Sequence, residues 1–188
     1  MQPIRLFHKQ IPFIFKYEAT GYGCANLFIM YGEQKAEFQP TYVGRNPLWT
    51  MLTLLSDLIN GYDDCGRVQW NSEPGEMVLE INVKNGMAHL VVREFDYSYK
   101  YKKDDEAHWI TRIVAELPLS QIVRVMIDEV ERNIRLHGIV GLSESWERND
   151  DVFPINAYLQ LKGVKSYFAE DTTRISSLNK EIRILKKL

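Results

Sequence analysis

The sequence has few of the features that would assign it to a specialised class of protein. Its 188 residues include only 2 cysteines, and the positions of Cys24 and Cys65 match neither zinc-ligand spacing nor a CxxC redox pair. Glycine and proline, at 11 and 7 residues, are too rare for a collagen-like or low-complexity chain. With 45% apolar and 26% charged residues, the chain is instead expected to form a globular protein with one core.

Long hydrophobic segments are also missing. The longest uncharged run, residues 19–32, contains three glycines and is shorter than the roughly 18 apolar residues expected of a membrane-spanning helix. Near the N-terminus, the apolar stretch at residues 11–15 is too short for the core of a secretory signal peptide. We therefore expect a cytoplasmic protein with no membrane span and with free thiols.

Catalytic and metal-binding patterns are weak. No two of the 4 histidines have the spacing of a local metal pair, and the common nucleophile, phosphate-loop and metalloprotease motifs do not occur. Gly21-Tyr22-Gly23 has two of the glycines of a dinucleotide-binding loop but no third, so it predicts a turn. We expect no catalytic residue, no metal and no cofactor.

Charge is unevenly distributed along the chain. Residues 61–160 carry 18 acidic against 11 basic side chains, whereas residues 161–188 are basic. Because phosphate binding needs clustered Lys and Arg, the acidic middle argues against a nucleic-acid partner and suits a basic protein. A solvated acidic surface without a partner explains the same distribution.

Hydrophobic periodicity divides the chain into four blocks of secondary structure. The first, residues 4–43, is rich in aromatic and β-branched residues and predicts strands in a hairpin or meander. The second is a helix that begins at Asn46 and Pro47 and ends near Gly61. Its apolar stripe contains Leu48, Met51, Leu52, Leu55, Leu58 and Ile59.

The third block predicts an antiparallel meander. Asn85-Gly86 is the strongest short hairpin signal and sets the register of the two strands beside it. Pro74 and Gly75 suit the centre of another turn. The core face then carries Met77, Leu79, Ile81, Val83, Ala88, Leu90, Val92 and Glu94. On the last strand we expect one side to carry Trp109, Ile113, Ala115 and Leu117.

The fourth block is helical. A helix with an apolar stripe starts at Leu119 and ends at Gly138, and we expect its Glu129 to face water. A short third helix starts at Phe153 and ends near Gly163. Its inward side carries Ile155, Tyr158 and Leu159.

These blocks predict one α+β domain over residues 1–163, with an antiparallel β-meander, an N-terminal β-hairpin and two main helices packed on one face. Residues 164–188 are expected to form a basic helical tail. The narrow apolar seam of this tail consists of Ile175, Leu178, Ile182 and Leu185. Three roles stay open for the tail: docking on its own domain, contact with a partner or a second copy in a homodimer, and contact with a membrane surface.

The most distinctive feature is an alternation of aromatic and polar residues after the Asn85-Gly86 hairpin. The aromatic residues are Phe95, Tyr97, Tyr99 and Tyr101. The hairpin register places them opposite the core, and tyrosine is favoured in protein interfaces, so the stripe predicts a binding surface. A β-bulge or a covering layer of strands would bury the stripe, and a platform for a nucleic acid or small ligand is a further alternative. The acidic residues that would steer a basic partner are Asp104, Asp105 and Glu106.

Short motifs within residues 45–163 resemble an uncharacterised family of small bacterial cytosolic proteins. The motifs are Asn46-Pro47-Leu48 at the start of a Leu-rich helix, Trp70, Glu73-Pro74-Gly75-Glu76, Gly138 to Gly141, Trp146 and Phe153-Pro154. Some such proteins resemble immunity proteins of bacterial toxin systems. This resemblance implies a single cytosolic domain that binds one partner, and it carries over no catalytic residue.

The sequence therefore predicts a non-enzymatic protein-binding domain, most concretely an immunity-protein-like inhibitor of a bacterial toxin. The alternative is a small-ligand-binding protein or enzyme whose site lies between sheet and helices, built from residues such as His89, Glu94 and Trp109. A concave pocket with convergent polar groups would favour the alternative. A flat acidic and aromatic surface would favour protein binding.

Overall fold

A computed structural model describes residues 11–41, 45–72, 75–95, 109–146 and 153–168, with side chains to residue 163 in the last range. The elements are β1 (Phe13–Gly21), β2 (Cys24–Tyr31), β3 (Gln34–Phe38), α1 (Pro47–Asn60), β4 (Cys65–Ser72), β5 (Gly75–Lys84), β6 (Met87–Phe95), β7 (Trp109–Pro118), α2 (Leu119–Glu144) and α3 (Ile155–Phe168). The predicted α+β class is confirmed. Within the described ranges, no helix combines the length and apolar character needed to cross a membrane.

The first sheet is a meander of three antiparallel strands in the order β1-β2-β3, which extends the expected hairpin by one strand. Two-residue turns join its strands at Tyr22-Gly23 and at Gly32-Glu33. Because alternate side chains share a face, one side of the sheet is apolar and buried. That side consists of Phe13, Phe15, Tyr17, Ala25, Leu27, Ile29, Ala36 and Phe38. The strand expected before residue 9 lies outside the described residues.

The second sheet has the order β4-β5-β6-β7 and confirms the register predicted from Asn85-Gly86. Lys84 pairs with Met87, and Asn85 and Gly86 adopt φ values of 53° and 75°, as a type I′ turn requires. The core face predicted for β5 and β6 is buried at Met77, Leu79, Ile81, Ala88, Leu90 and Val92. Gly75 is already paired with Ser72 in the sheet, so its predicted place at a turn centre is wrong.

A bulge in β7 overturns the prediction for Trp109. Val92 pairs with Ile113, but the next residue of β6, Arg93, pairs with Thr111, so Arg112 is an extra residue in β7. An extra residue reverses the alternation of faces. Trp109 therefore lies on the outer face of the sheet, whereas Ile113, Ala115 and Leu117 lie on the core face as predicted.

The two sheets are joined along β7. The side-chain amide of Gln34 donates to the Val114 carbonyl at 3.1 Å and accepts from the Val114 N–H at 2.8 Å. The Tyr31 hydroxyl donates to the Glu116 carbonyl at 3.0 Å. Since β7 is an edge strand, its outward backbone groups could pair with a strand of another molecule, and these side chains occupy them instead.

The predicted caps of α1 are confirmed. The Asn46 side chain accepts from the Leu48 N–H at 3.0 Å, Pro47 is the first helical residue, and Gly61 ends the helix at φ 68°. The predicted stripe is buried at Leu48, Met51, Leu52, Leu55 and Leu58, and Ile59 is partly buried. The helix contacts β4 through Trp70, whose indole N–H donates to the Thr50 hydroxyl at 3.0 Å.

The helix α2 differs from the prediction in two respects. Gly138 interrupts the helical backbone at φ 69° and ψ 169°, but the helix resumes and reaches Glu144. Glu129, which was expected to face water, is only 2% exposed. The predicted stripe itself is confirmed, with Ile122, Val123, Met126, Ile127, Val130 and Ile134 all buried.

The helix α3 begins after Phe153 and Pro154, as predicted, and buries Tyr158 fully. It continues through Gly163 to Phe168, because Gly163 keeps a helical backbone and does not adopt the left-handed conformation that ends helices. Leu159 is 40% exposed, so its predicted inward position is wrong. The seam of the tail lies outside the described residues, and the division of the chain after Gly163 stays a prediction.

Candidate functional site

Several connections between elements meet at one end of the molecule. The backbone N–H of Gly23 donates to the Ser145 carbonyl at 2.9 Å, and the N–H of Thr41 donates to the Asn71 carbonyl at 2.9 Å. The last described pair of β6 and β7, Phe95 with Trp109, lies at this end. We call it the loop end, and it comprises Tyr22, Gly23, Pro40, Thr41, Asn71, Ser72, Gly75, Phe95, Trp109 and Ser145.

The opposite end of the molecule holds the tight turns Gly32-Glu33 and Asn85-Gly86, and we call it the turn end. It also holds the start of α2, whose Leu119 N–H donates to the Gly86 carbonyl at 3.0 Å. In an antiparallel meander, successive connections lie alternately at one end of the sheet and at the other. The order of the strands therefore determines which connections lie side by side.

The binding residues predicted from the sequence follow Phe95 in the chain. Tyr97, Tyr99, Tyr101, Asp104, Asp105 and Glu106 all lie outside the described residues. Phe95 is on the outer face, as the register predicted, but it is only 5% exposed and packs edge-on against Trp109 with ring centroids 5.3 Å apart. The sequence left exposure and burial of the stripe open, and Phe95 is buried; exposure stays a prediction for the tyrosines.

The residues named for the alternative site do not converge. His89 and Glu94 are five residues apart on one strand, which separates them by roughly 16 Å and places them on opposite faces. The Glu94 carboxylate accepts a hydrogen bond from Arg112 at 2.7 Å. Trp109 lies on the neighbouring strand β7 and on the face opposite to Glu94. These three side chains do not form one site.

A concavity of about 820 Å³ opens at the loop end. It lies beside the outer face of the first sheet, and both sheets contribute to its wall. Its polar side chains include Glu18, Asn26, Glu37, Gln39, Ser72 and Glu94. Several are already partnered: Lys35 lies 3.2 Å from Glu37, and the Gln39 amide donates to Asn26 at 3.2 Å. The wall therefore combines polar side chains with apolar ones such as Phe28, and several of its charges are balanced by neighbours.

A buried ionic cluster borders this concavity. The Glu129 carboxylate accepts from the Tyr17 backbone N–H at 2.7 Å and from two nitrogens of Arg132 at 2.6 and 3.0 Å. Lys16 lies 3.3 Å from the same carboxylate. Arg132 also donates to the Tyr17 carbonyl at 2.6 Å, and Asn133 donates to it at 3.2 Å.

The cluster explains why Glu129 is buried. β1 is the edge of the first sheet, so the Tyr17 N–H and carbonyl point away from β2 and need other partners. Side chains of α2 supply these partners, which fixes β1 against the helix. Sequence periodicity missed Glu129 because it registers only the apolar side of a helix, although Glu129, Arg132 and Asn133 do share a face by their spacing.

The surroundings of Glu129 keep its carboxylate ionised. Burial alone would raise the pKa, but hydrogen bonds from Arg132 and from the Tyr17 N–H, together with the charges of Arg132 and Lys16, hold the pKa of Glu129 below its ordinary value. The pKa of Arg132 is raised, chiefly by its hydrogen bond to Glu129. A carboxylate with a lowered pKa and filled acceptor positions is suited to holding the structure together and is not suited to donating protons near neutral pH.

A second concavity, of about 790 Å³, lies at the turn end on the outer face of the second sheet. Strand pairing places Cys65, Asn82, His89 and Glu116 in one row across its four strands. Cys65 and His89 are two strands apart, or roughly 10 Å, which is too far for an imidazole to activate a thiol. In the part of the chain that the structure describes, no group of three or more His, Cys, Asp and Glu side chains is arranged to hold a metal ion.

Comparison of the chain with protein-family models, curated proteins and solved structures finds no match. The resemblance to small bacterial cytosolic proteins therefore stays a prediction. Any assignment of function rests on the geometry of the loop end.

Proposed function

We propose that the chain is a protein-binding domain that contacts its partner through the loop end, with an immunity-protein-like inhibitor as the most concrete form. The observation that carries this proposal is that several connections are hydrogen-bonded to one another at the end of the molecule where a concavity opens. Binding residues are commonly found on connections that a rigid scaffold holds in place. Backbone hydrogen bonds from Gly23 to Ser145 and from Thr41 to Asn71 hold the connections in place at this end.

The connection between β6 and β7 is the main contact segment in this proposal. The two strands pair up to Phe95 and Trp109, with one bulge at Arg112, and residues 96–108 join them. Hairpin loops are usually about 2–5 residues long, and much longer ones are often binding loops. This connection contains three tyrosines, which provide large and stiff contact area. They are Tyr97, Tyr99 and Tyr101.

Charge favours a basic partner. The acidic excess lies in residues 61–160, and Asp104, Asp105 and Glu106 belong to the same contact segment. Several charges on the concavity wall are partnered internally, so the unpaired negative charge of the chain is expected to come mainly from such connections. Complementary charge raises the rate of encounter with a basic protein and is weakened by salt.

The proposal is tested by site-specific photo-crosslinking followed by binding measurements. Benzoylphenylalanine is placed at position 97, 99 or 101, and the crosslinked protein is recovered from lysate and culture medium of the source organism and identified by mass spectrometry. The identified protein is then purified, and its Kd is measured for the wild type and for the triple variant Tyr97→Ala, Tyr99→Ala, Tyr101→Ala.

The matched control is Tyr62, which is 74% exposed and lies outside the loop end. We expect one protein to crosslink from positions 97, 99 and 101 and not from position 62, and we expect the triple variant to bind at least about tenfold more weakly than Tyr62→Ala. Equal crosslinking from all positions, or equal Kd values for the two variants, would contradict the proposal.

A second candidate is a small-ligand site in the loop-end concavity. Its volume of about 820 Å³ lies within the range of roughly 300–1,000 Å³ that is typical of ligand pockets. A thermal-shift screen with metabolite-like compounds tests this candidate. A compound that raises Tm in the wild type, and raises it much less in Asn26→Leu, would favour a ligand site over a protein partner.

A further inference from the structure

Tyr22 has a backbone conformation that its side chain does not favour. Among the described residues other than glycine, only Tyr22 and Asn85 have positive φ, at 54° and 53°. Each is the first residue of a two-residue hairpin turn, and each is followed by glycine. Asn is favoured at this position of a type I′ turn because it tolerates the left-handed region, whereas a bulky aromatic residue is strained there.

No hydrogen bond of the Tyr22 side chain within the described residues offsets this backbone strain. Tyr22 is 84% exposed, and its hydroxyl makes no hydrogen bond within the part of the chain that is described. Both turns therefore place a residue with positive φ before a glycine, and they differ in that residue. The Tyr22 turn also has Gly21 at φ 87° and a register shift between Ala19 and Gly21. Strained residues of this kind are often retained for a role in function.

The Tyr22 turn is also held in a fixed position. Its next residue, Gly23, donates a backbone hydrogen bond to the Ser145 carbonyl at 2.9 Å, which ties the turn to the C-terminal end of α2. The ring is therefore presented from an anchored turn at the loop end. A side chain on an anchored backbone loses less conformational freedom on binding than one on a loose segment, because the backbone is already ordered, and tyrosine has few rotatable bonds.

We infer that Tyr22 is a contact residue for the protein partner of the loop end and that it inserts into an apolar pocket with a basic rim. The apolar pocket follows from the exposed ring. The basic rim follows from two exposed acidic residues, Glu18 on the strand that precedes the turn and Glu144 next to Ser145. This inference rests on the proposed function, because it concerns the same partner and the same end of the molecule.

The test compares Tyr22→Asn and Tyr22→Phe with the exposed-tyrosine control Tyr62→Asn. We expect Tyr22→Asn to raise Tm by about 2 °C, because it relieves strain and removes no internal contact. Tyr22→Asn is also expected to raise the Kd for the crosslinked partner by about tenfold or more. The Kd of Tyr22→Phe should lie between those of the wild type and Tyr22→Asn. The Kd of Tyr62→Asn should stay within about twofold of the wild type.

The outcomes separate this inference from the proposed function. If the Tyr97, Tyr99 and Tyr101 triple variant loses binding and Tyr22→Asn does not, the proposed function stands and the inference is wrong. A fall in Tm for Tyr22→Asn also overturns the inference, since it would show that the ring stabilises the fold. If neither variant weakens binding, or if no protein is crosslinked, both are wrong.

Discussion

At each end of the molecule, one hairpin turn has a residue with positive φ followed by a glycine, but that residue differs between the two ends. At the turn end, Asn85 and Gly86 are the residues that a type I′ turn favours. At the loop end, Tyr22 adopts the same φ as Asn85 without the side chain that tolerates it. The backbone conformation explains why Asn85 is present at the turn end, but it does not explain why Tyr22 is present at the loop end. Such local departures are expected where a residue serves function.

The ends also differ in how the edges of the sheets are closed. Near the turn end, the neutral Gln34 side chain bonds the edge strand β7. Beside the loop-end concavity, a buried ionic cluster around Glu129 bonds the edge strand β1. A buried charge that loses its partner is costly, whereas the loss of an exposed amide costs less because water can take its place. The predictions below use this difference, and they start with the largest effect.

Glu129→Ala is expected to lower the free energy of unfolding by about 3 kcal/mol, because it leaves the Tyr17 N–H without its acceptor and removes the carboxylate partner of Arg132. Urea unfolding followed by circular dichroism measures this loss. Glu116→Ala, at a side chain that is 80% exposed, is the control and should cost less than about 0.5 kcal/mol. Equal losses in the two variants would show that the cluster does not stabilise β1 against α2.

Acid is expected to weaken the same cluster by a smaller amount than Glu129→Ala. The pKa of Glu129 is lower in the folded chain than its ordinary value of 4.5, so the unfolded chain binds the proton more readily. The resulting stabilisation is complete above about pH 4.5 and is lost as the pH falls through the folded pKa. Unfolding free energies measured from pH 6 to pH 3 should therefore fall more steeply for the wild type than for Glu129→Gln. Parallel curves would contradict this assignment.

Gln34→Ala is expected to cost about 1–2 kcal/mol, since it removes two hydrogen bonds to Val114. The substitution is at the turn end, so it should leave the Kd for the partner unchanged. Chemical denaturation and calorimetric titration measure the two quantities. If Gln34→Ala binds the partner more weakly while the loop end keeps its structure, the claim that only the loop end contacts the partner is contradicted.

Asn85→Tyr is expected to cost about 1 kcal/mol, at the low end of the range for a strained residue. It is the reverse of Tyr22→Asn and gives the turn end the residue that strains the loop end. Thermal unfolding should show a lower Tm for Asn85→Tyr and a higher Tm for Tyr22→Asn. Changes of the same sign would contradict the claim that tyrosine is strained at the first residue of these turns.

The parts of the fold that sequence predicted correctly depend on short-range patterns. Asn85-Gly86 set the register of β5 and β6, and Asn46, Pro47 and Gly61 marked the ends of α1. The bulge at Arg112 was missed because no local residue pattern marks it, and it reversed the face predicted for Trp109.

The candidate site was harder to predict because it depends on which elements become neighbours. Glu129 is buried because of Tyr17, which is more than a hundred residues away in the chain. The strain at Tyr22 is visible only once the pair Gly21 and Cys24 closes a two-residue turn around it. The contact residues predicted from sequence stay a prediction, since Tyr97, Tyr99 and Tyr101 lie outside the described residues.

The measurement that tests the central claim most directly is amide hydrogen exchange of the chain alone and in complex with its crosslinked partner. Binding through the loop end predicts slower exchange at Tyr22, Gly23, Thr41 and residues 96–108, with no change at the Gly32-Glu33 and Asn85-Gly86 turns. Protection that is confined to the turn end, or that is equal at both ends, would contradict the account.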